Sequence, residues 1–141
     1  MEGRNVVSVI IVDSNIFIFG ETEAVPEREM AIRRYGEVTG KERIGTNVII
    51  LSETFHIIKR INGYESAAMR IGSIVNNPFI DFLDFGPELV LRAAKLARDF
   101  QMRINDALIA QQAIETGASI LTDNVKDFKK IKSIKVIPLR G

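Results

Sequence analysis

The chain has 141 residues, of which 46% are hydrophobic and 26% are charged, and its net charge is +1. This length and composition predict one globular domain over residues 1–141, while the near-neutral charge indicates no particular partner. The chain has no cysteine and a single histidine, His56, which excludes disulfides, thiolate metal sites and zinc sites built from several histidines. The lack of cysteine also fits a reducing cytoplasm. No apolar run approaches the roughly 20 residues of a membrane-spanning helix, so no association with a membrane is expected.

The first part of the chain predicts a buried strand followed by two helices. Residues 6–12 are β-branched almost throughout, which predicts a strand buried on both faces. This strand ends at Asp13, and the apolar residues 16–20 predict a short helix directly after it. Pro26 then favours the start of a second helix.

A second strand and its helix are predicted next. Residues 47–51 favour the strand, and residues 52–61 favour the helix, with Ser52 as its N-cap. Glu53 would then lie at a strand-to-helix junction, as Asp13 does.

The middle of the chain and its end predict the outer elements. Residues 64–75 are expected to form a helix and residues 79–83 a short strand near the sheet edge. Pro87 is suited to the first position of a helix that reaches about residue 101. Residues 135–139 predict a last strand at the other edge, since Pro138 is tolerated only at an edge.

The stretch before that last strand carries a helix, a strand and a turn with an acid at each junction. Asn105 is a suitable N-cap, and Asp106 then lies in the first helical turn, where the helix dipole favours a carboxylate. Gly117 is placed to end the helix. Residues 118–121 predict a buried parallel strand that ends just before Asp123. The alternation of strands and helices predicts an α/β sandwich with a mainly parallel central sheet.

Four elements therefore place an acid at the same kind of junction, namely Asp13, Glu53, Asp106 and Asp123, with Asp127 four residues further on. If the strands are parallel, these acids lie along one sheet edge, where open α/β sheets bind ligands. Clustered carboxylates are unfavourable unless they are protonated or neutralised by a cation. Sites made only of oxygen ligands suit Mg²⁺ or Mn²⁺, and such ions serve phosphodiester chemistry.

Four segments resemble, in family order, the motifs of the PIN-domain ribonucleases. The segments are residues 9–16 (VIIVDSNI), 51–53 (LSE), 105–110 (NDALIA) and 121–128 (LTDNVKDF). The length and layout most resemble the VapC-type toxins of prokaryotic toxin–antitoxin pairs. The resemblance implies a three-layer sandwich and Mg²⁺-dependent cleavage of single-stranded or structured RNA. By resemblance, Asp13 and Asp106 are the firmest metal ligands and Glu53 is their partner.

The same resemblance implies protein partners. A homodimer is expected, and the apolar residues 16–19 and 64–75 offer candidate surfaces for it. An antitoxin protein is a second possible partner. An RNA-processing nuclease without an antitoxin, or a PIN-fold binding module that has lost catalysis, are the alternatives.

The last motif departs from the family pattern. Many relatives carry an acid or an asparagine two residues after the threonine, and an acid before the phenylalanine. Asn124 and Asp127 occupy these places, while Asp123 is one place early. Either Asp123 or Asp127 is therefore expected to be the fourth catalytic and metal-binding acid. Asn15, Thr122 and Asn124 are expected to orient a carboxylate, a water or a phosphate.

Two further features bear on RNA. His56 stands one helical turn after Glu53, where it could contact substrate or simply be solvated. Lys126, Lys129 and Lys130 begin a basic stretch that could hold the RNA backbone through phosphate contacts or form a solvated edge.

Two other classes of protein also have a first strand that ends in aspartate. A haloacid-dehalogenase-like phosphatase needs a second aspartate two residues later, where this chain has Asn15. A response-regulator receiver needs adjacent acids after the first strand, but Ser14 follows Asp13. Both classes are therefore disfavoured.

Overall fold

A computed structural model describes residues 8–21 and 26–140 of the chain. Within these residues, there are seven helices and five strands, and one or two helices connect each strand to the next. The elements in chain order are β1 (Val9–Val12), α1 (Ser14–Glu21), α2 (Glu27–Thr39), β2 (Arg43–Thr46), α3 (Val48–Asn62), α4 (Tyr64–Val75), β3 (Ile80–Phe82), α5 (Pro87–Phe100), α6 (Ile104–Thr116), β4 (Ser119–Thr122), α7 (Val125–Phe128) and β5 (Val136–Pro138).

The strands form one sheet in the order β3-β2-β1-β4-β5, and every neighbouring pair is parallel. β1 lies at the centre, where Ile10, Ile11 and Val12 are almost completely buried. A strand covered by helices on both faces needs a continuous apolar run, which explains the lack of alternation in this segment. The predicted three-layer α/β sandwich with a parallel sheet is confirmed. Residues 6 and 7 of the predicted strand lie outside the described residues.

The second strand lies upstream of its predicted place. Residues 47–51 do not form a strand, because β2 ends at Thr46 and α3 begins at Val48. The N-cap of α3 is Asn47 rather than Ser52, since the Asn47 side-chain oxygen accepts a hydrogen bond from the Ile50 N–H at 2.9 Å. Ile50, Thr54 and Ile58 are fully buried at four-residue spacing, so the apolar run is the first turn of a helix that faces inward through Ile50.

The predicted helix around Asp106 forms, with a different start. α6 begins at Ile104 after an extended Arg103, so Asn105 is a helical residue and not the N-cap. Gly117 ends the helix with a φ of 71°, a left-handed conformation that favours glycine. Ala107, Ala110 and Ala113 are at most 1% exposed, which lets this helix lie close to its neighbours.

The outer elements agree with the sequence. β3 and β5 are the two edge strands, and Pro138 lies in β5, where a missing N–H donor is tolerated. α4 and α5 have the predicted extents to within one residue. Among residues 8–21 and 26–140, no helix is long and apolar enough to cross a membrane.

One of the two candidate dimer surfaces is instead part of the core. Ile16 and Phe17 are 2% and 1% exposed, and Phe19 packs against the core cluster. The apolar character of this segment therefore comes from its position under the sheet. On α4, by contrast, Tyr64 and Met69 are well exposed.

Gly45 tests the close packing at the centre of the sheet. A Cβ atom at this position would lie 2.8 Å from Leu83 Cδ1 and 2.9 Å from Val9 Cγ1, closer than such atoms approach. We expect Gly45→Ala to lower the free energy of unfolding by about 1–3 kcal/mol in urea denaturation, because the neighbouring side chains must move.

The matched control is Gly72→Ala in α4, where nothing lies within 4 Å of the new Cβ atom. Alanine favours helix over glycine by up to about 1 kcal/mol, so this variant should be as stable as the wild type or more so. A Gly45→Ala protein with wild-type stability would contradict the packing described.

Candidate active site

A cavity of about 550 Å³ opens at the carboxyl ends of the central strands. Its walls come from the end of β1, the start of α1, α3, the start of α6 and the turn after β4. The lining residues are Asp13, Ser14, Asn15, Ser52, Glu53, His56, Ile57, Arg103, Asn105, Asp106 and Asn124. Three of the predicted acids therefore face one space, at the edge where parallel α/β sheets bind ligands.

Asp13 is the most buried of the three acids, at 4% exposed. The backbone fixes its position, since its N–H donates to the Leu121 carbonyl at 2.9 Å and so continues the β1–β4 pairing. Its carboxylate accepts hydrogen bonds from the Ser14 N–H at 2.8 Å and from Thr122 Oγ1 at 2.7 Å. Asn15 Nδ2 lies further away, at 3.4 Å from Oδ2.

The surroundings of Asp13 disfavour its charge. Burial raises the pKa of its carboxyl to about 6, although the hydrogen bonds from Thr122 and Ser14 act in the opposite direction. The negative charges of Asp106 and Glu53 contribute to the same rise. The three carboxylates therefore repel one another.

Glu53 reaches the cavity from the second turn of α3 and not from a strand-to-helix junction. Its Oε1 accepts a hydrogen bond from Ser14 Oγ at 3.2 Å. Its Oε2 lies 3.2 Å from Asn105 Nδ2 and 3.4 Å from Arg103 Nη2. Donors from α1 and from the start of α6 therefore hold this carboxylate.

Asp106 lies in the first turn of α6 and is 7% exposed. Burial raises the pKa of its carboxyl, the positive charge of Arg103 lowers it, and the charges of Glu53 and Asp127 raise it again. Asn124 Nδ2 lies 3.4 Å from Asp106 Oδ2, so the turn after β4 also contacts this acid.

The residues after β4 divide into two groups. Thr122 Oγ1 donates to Asp13 and accepts from the Asn124 N–H at 2.8 Å, which joins the turn to the central acid. Asp123 points elsewhere, because its carboxylate pairs with Arg140 at 2.8 and 3.1 Å. The structure therefore does not bring Asp123 to the cavity with the other acids.

Asp127 is the second candidate for the fourth acid, and it acts on Asp106. Burial favours a higher pKa for its carboxyl, but hydrogen bonds from Asn124 and Lys130 outweigh burial and hold the pKa below its usual value. Asp127 therefore stays charged, and its charge raises the pKa of Asp106. Asp127 does not line the cavity itself and reaches the acids through Asn124.

The three acids are not arranged around one point. In the described parts of the chain, no group of three His, Asp or Glu side chains is close enough to hold a metal ion. Each carboxylate is turned towards its own hydrogen-bond donors, which is the arrangement that limits repulsion. The donor set still fits Mg²⁺ or Mn²⁺, because three hard, mutually repelling carboxylates share one open cavity.

Sequence reasoning missed Ser14, Arg103 and Asn105 as members of the site. Ser14 and Asn105 each adjoin an acid in sequence, and Arg103 lies three residues before Asp106, just outside α6. His56 lines the cavity as an exposed side chain. The three predicted RNA-binding lysines do not line it, and Lys130 Nζ contacts Asp127 and the Phe100 carbonyl, both at 3.3 Å.

Known proteins share the sequence pattern of this chain over most of its length. The family model described as "PIN domain" matches residues 10–134. Ribonuclease VapC1 of Rickettsia felis is 30% identical over 135 residues, which cover 91% of this chain and 94% of that protein.

Solved structures share the fold. VapBC2 of Rickettsia felis, bound to a DNA fragment from its promoter, has a TM-score of 0.73 and 18% identity, and the match covers 92% of this chain and 98% of that one. VapC20 of Mycobacterium tuberculosis, a toxin that cleaves the sarcin-ricin loop, has a TM-score of 0.71 and 16% identity, with 86% and 93% of the two chains covered. With its motifs, its sheet order and these matches, the chain belongs to the PIN-domain family and resembles the VapC ribonucleases within it.

Proposed function

We propose that this protein is a divalent-metal-dependent endoribonuclease and the toxin of a toxin–antitoxin pair. One observation carries the proposal: Asp13, Glu53 and Asp106 come from three different elements and line one cavity at the carboxyl edge of the sheet. The similarity to ribonuclease VapC1 over most of both chains supports ribonuclease activity as the chemistry of that cavity.

Asp13, Asp106 and Glu53 would hold Mg²⁺ or Mn²⁺ in the cavity. When bound, the cation supplies Lewis acidity to a phosphodiester and to an attacking water. The side chains must rotate to coordinate it, because each now faces its own donors. We assign the role of the fourth acid to Asp127, which influences Asp106, and not to Asp123, which pairs with Arg140.

The neutral side chains position these acids. Asn15 and Thr122 hold Asp13, Asn124 contacts Asp106, and the Ser14 and Asn105 side chains contact Glu53. Each of these donors fixes a carboxylate oxygen without neutralising its charge, so the negative charge remains available to a cation. His56, exposed on the wall of the cavity, would contact the RNA that enters.

The partners follow from the family. RNA is the proposed substrate, and Lys126, Lys129 and Lys130 would attract its backbone from outside the cavity. An antitoxin is the proposed protein partner, since related VapC proteins have been crystallised as VapBC complexes. We further propose that residues 1–141 form a single PIN domain that works in the cytoplasm.

Asp106→Asn tests the metal site directly. The change keeps the shape and removes one negative charge, and a neutral amide is a poor ligand for a hard cation. We expect it to abolish Mg²⁺-dependent cleavage of a generic single-stranded RNA. Without metal, thermal melts should show equal or slightly higher stability, because repulsion within the cavity falls.

The wild type should melt at a higher temperature as Mg²⁺ is added. Binding stabilises the fold by about 2.7 kcal/mol when the free ion is at 100 times its dissociation constant, and Asp106→Asn should lose most of this gain. Asp99→Asn, on an aspartate that pairs with Arg98 outside the cavity, is the matched control and should behave as the wild type. An Asp106→Asn protein that still cuts RNA in Mg²⁺ would exclude the assignment.

The assignment of the last acid is tested by the same change at two positions. Asp127→Asn should reduce Mg²⁺-dependent cleavage, because Asp127 adds negative charge near Asp106 and also accepts a hydrogen bond from Asn124, which contacts Asp106. Asp123→Asn should leave most of the activity, because its carboxylate faces Arg140. If Asp123→Asn lost more activity than Asp127→Asn in the cleavage assay, Asp123 would be the fourth acid instead.

The titration of Asp13 provides a test that does not depend on RNA. In the metal-free protein, its carboxyl carbon should titrate by NMR with a midpoint near pH 6, well above the usual 3.8. The folded protein binds the Asp13 proton more tightly than the unfolded chain does. The contribution of this proton to the free energy of unfolding therefore falls as the pH rises from 3.8 to about 6. Mg²⁺ competes with the proton, so the midpoint should fall when Mg²⁺ is added. A midpoint near 3.8, or one that ignores Mg²⁺, would argue against a metal site at Asp13.

A homodimer is the proposed assembly, with exposed apolar side chains of α4 such as Tyr64 and Met69 as the candidate surface. Light scattering at micromolar concentration should give twice the mass of the chain. A monomer under these conditions would contradict this proposal and leave the nuclease assignment untouched.

A further inference from the structure

Arg103 occupies a position that the roles above do not use. It is the last extended residue before α6, with φ −63° and ψ 147°, and its side chain is 73% exposed. The guanidinium lies at the cavity rim, where Nη2 is 3.4 Å from Glu53 Oε2 and its charge also acts on Asp106. The Arg103 guanidinium thus interacts with carboxylates of two different helices, Glu53 of α3 and Asp106 of α6.

The charge of the cavity makes this position significant. Among the described residues that line the cavity, Arg103 is the only arginine or lysine, against the three carboxylates of Asp13, Glu53 and Asp106. Within the cavity lining, an RNA phosphate is repelled by the acids and, among the arginines and lysines, is attracted by Arg103. A divalent cation together with this guanidinium would balance the three carboxylates, so that a phosphate could enter without net repulsion.

The contact between Arg103 and Glu53 can be broken at little cost in free energy. It is a single long contact at 3.4 Å from an exposed side chain, and such surface pairs contribute little to stability. The Arg43–Asp81 pair shows the alternative, a bidentate contact at 2.8 and 2.6 Å. Glu53 also has two neutral donors, Ser14 and Asn105, so it does not depend on Arg103 for its position.

We propose that Arg103 is a phosphate-binding residue, which leaves Glu53 when a divalent cation enters the cavity and then binds a phosphate of the RNA at the rim. This inference rests on the proposed ribonuclease function. The planar guanidinium can donate two parallel, charge-assisted N–H bonds to phosphate oxygens, and no other described residue that lines the cavity carries such a group. Since Arg103 directly precedes the helix that carries Asp106, a phosphate held by it lies beside the acids.

Arg103→Gln and Arg103→Lys test the proposal, and Arg98→Gln is the matched control. Arg98 is also 73% exposed and pairs with one acid, Asp99, outside the cavity. Binding of a fluorescent single-stranded RNA is measured by anisotropy with Ca²⁺ in place of Mg²⁺, under conditions in which a gel shows the RNA to be intact. Binding of Mg²⁺ without RNA is measured by calorimetry.

Arg103→Gln should weaken RNA binding by about tenfold, the cost of one charged phosphate contact, and should reduce the slope of log affinity against log salt by about 1. Arg103→Lys keeps the charge but loses the two parallel N–H donors, so it should recover the salt slope and only part of the affinity. Mg²⁺ should bind Arg103→Gln at least as tightly as the wild type, because a competing cation has been removed. Arg98→Gln should change none of these quantities.

Unchanged RNA affinity and salt slope in Arg103→Gln would overturn the proposal. Weaker Mg²⁺ binding in this variant would also overturn it, because Arg103 would then support the acids instead of competing with the cation. Cleavage of RNA by the wild type in Mg²⁺ is followed in parallel. If the wild type cuts RNA and the Arg103→Gln variant binds RNA normally, only the role of Arg103 is rejected. A wild type that neither binds nor cuts RNA rejects the ribonuclease function itself.

Discussion

The burial of the Asp13 carboxylate at the end of the central strand is the constraint on which the site depends. β1 is flanked by β2 and β4 and is covered on both faces, so Asp13, which follows Val12, is itself buried. A carboxylate at this position loses its hydration, and neighbouring groups must replace the lost hydrogen bonds. Several groups around the cavity supply these replacement hydrogen bonds.

Those replacements come from elements that are distant in sequence. Thr122 at the end of β4 donates to Asp13, and the same hydroxyl accepts from the Asn124 backbone. Asn15 in α1 contacts Asp13 through Nδ2 and accepts from the Asp123 N–H through Oδ1 at 3.1 Å. The turn after β4 is therefore held by the groups that solvate Asp13. Neutral donors satisfy the oxygens but leave the charge uncompensated, which is the state in which a cation binds most favourably.

The sequence predicted those parts of the site that depend on local pattern. Asp13 follows a β-branched run, and Asp106 opens a helix that Gly117 ends, so both positions could be inferred from their own segments. Glu53 was assigned to the correct cavity for a mistaken structural reason. The run of residues 48–51 is apolar enough for a strand, and only the Asn47 cap and the four-residue spacing of Ile50, Thr54 and Ile58 place it in a helix.

The remaining features depend on contacts between distant segments and could not be read from local pattern. Asp123 and Asp127 both follow the threonine closely, and they differ in the structure because Asp123 pairs with Arg140, which lies two residues after the end of β5. Arg103 has an ordinary sequence context. Its place beside Glu53 depends on the packing of α6 against α3, which no segment specifies alone.

That packing is itself fixed by a buried amide pair. Asn47 Nδ2 donates to Gln112 Oε1 at 2.7 Å, and both side chains are at most 1% exposed. Gln112 Nε2 lies 3.2 and 3.3 Å from the Leu83 and Asp84 carbonyls beyond β3. Since Asn47 also caps α3, one residue sets both where that helix starts and how it meets α6. These buried polar contacts therefore help to set the relative position of the helices that carry Glu53 and Asp106, because a shift of either helix would leave a buried amide unsatisfied.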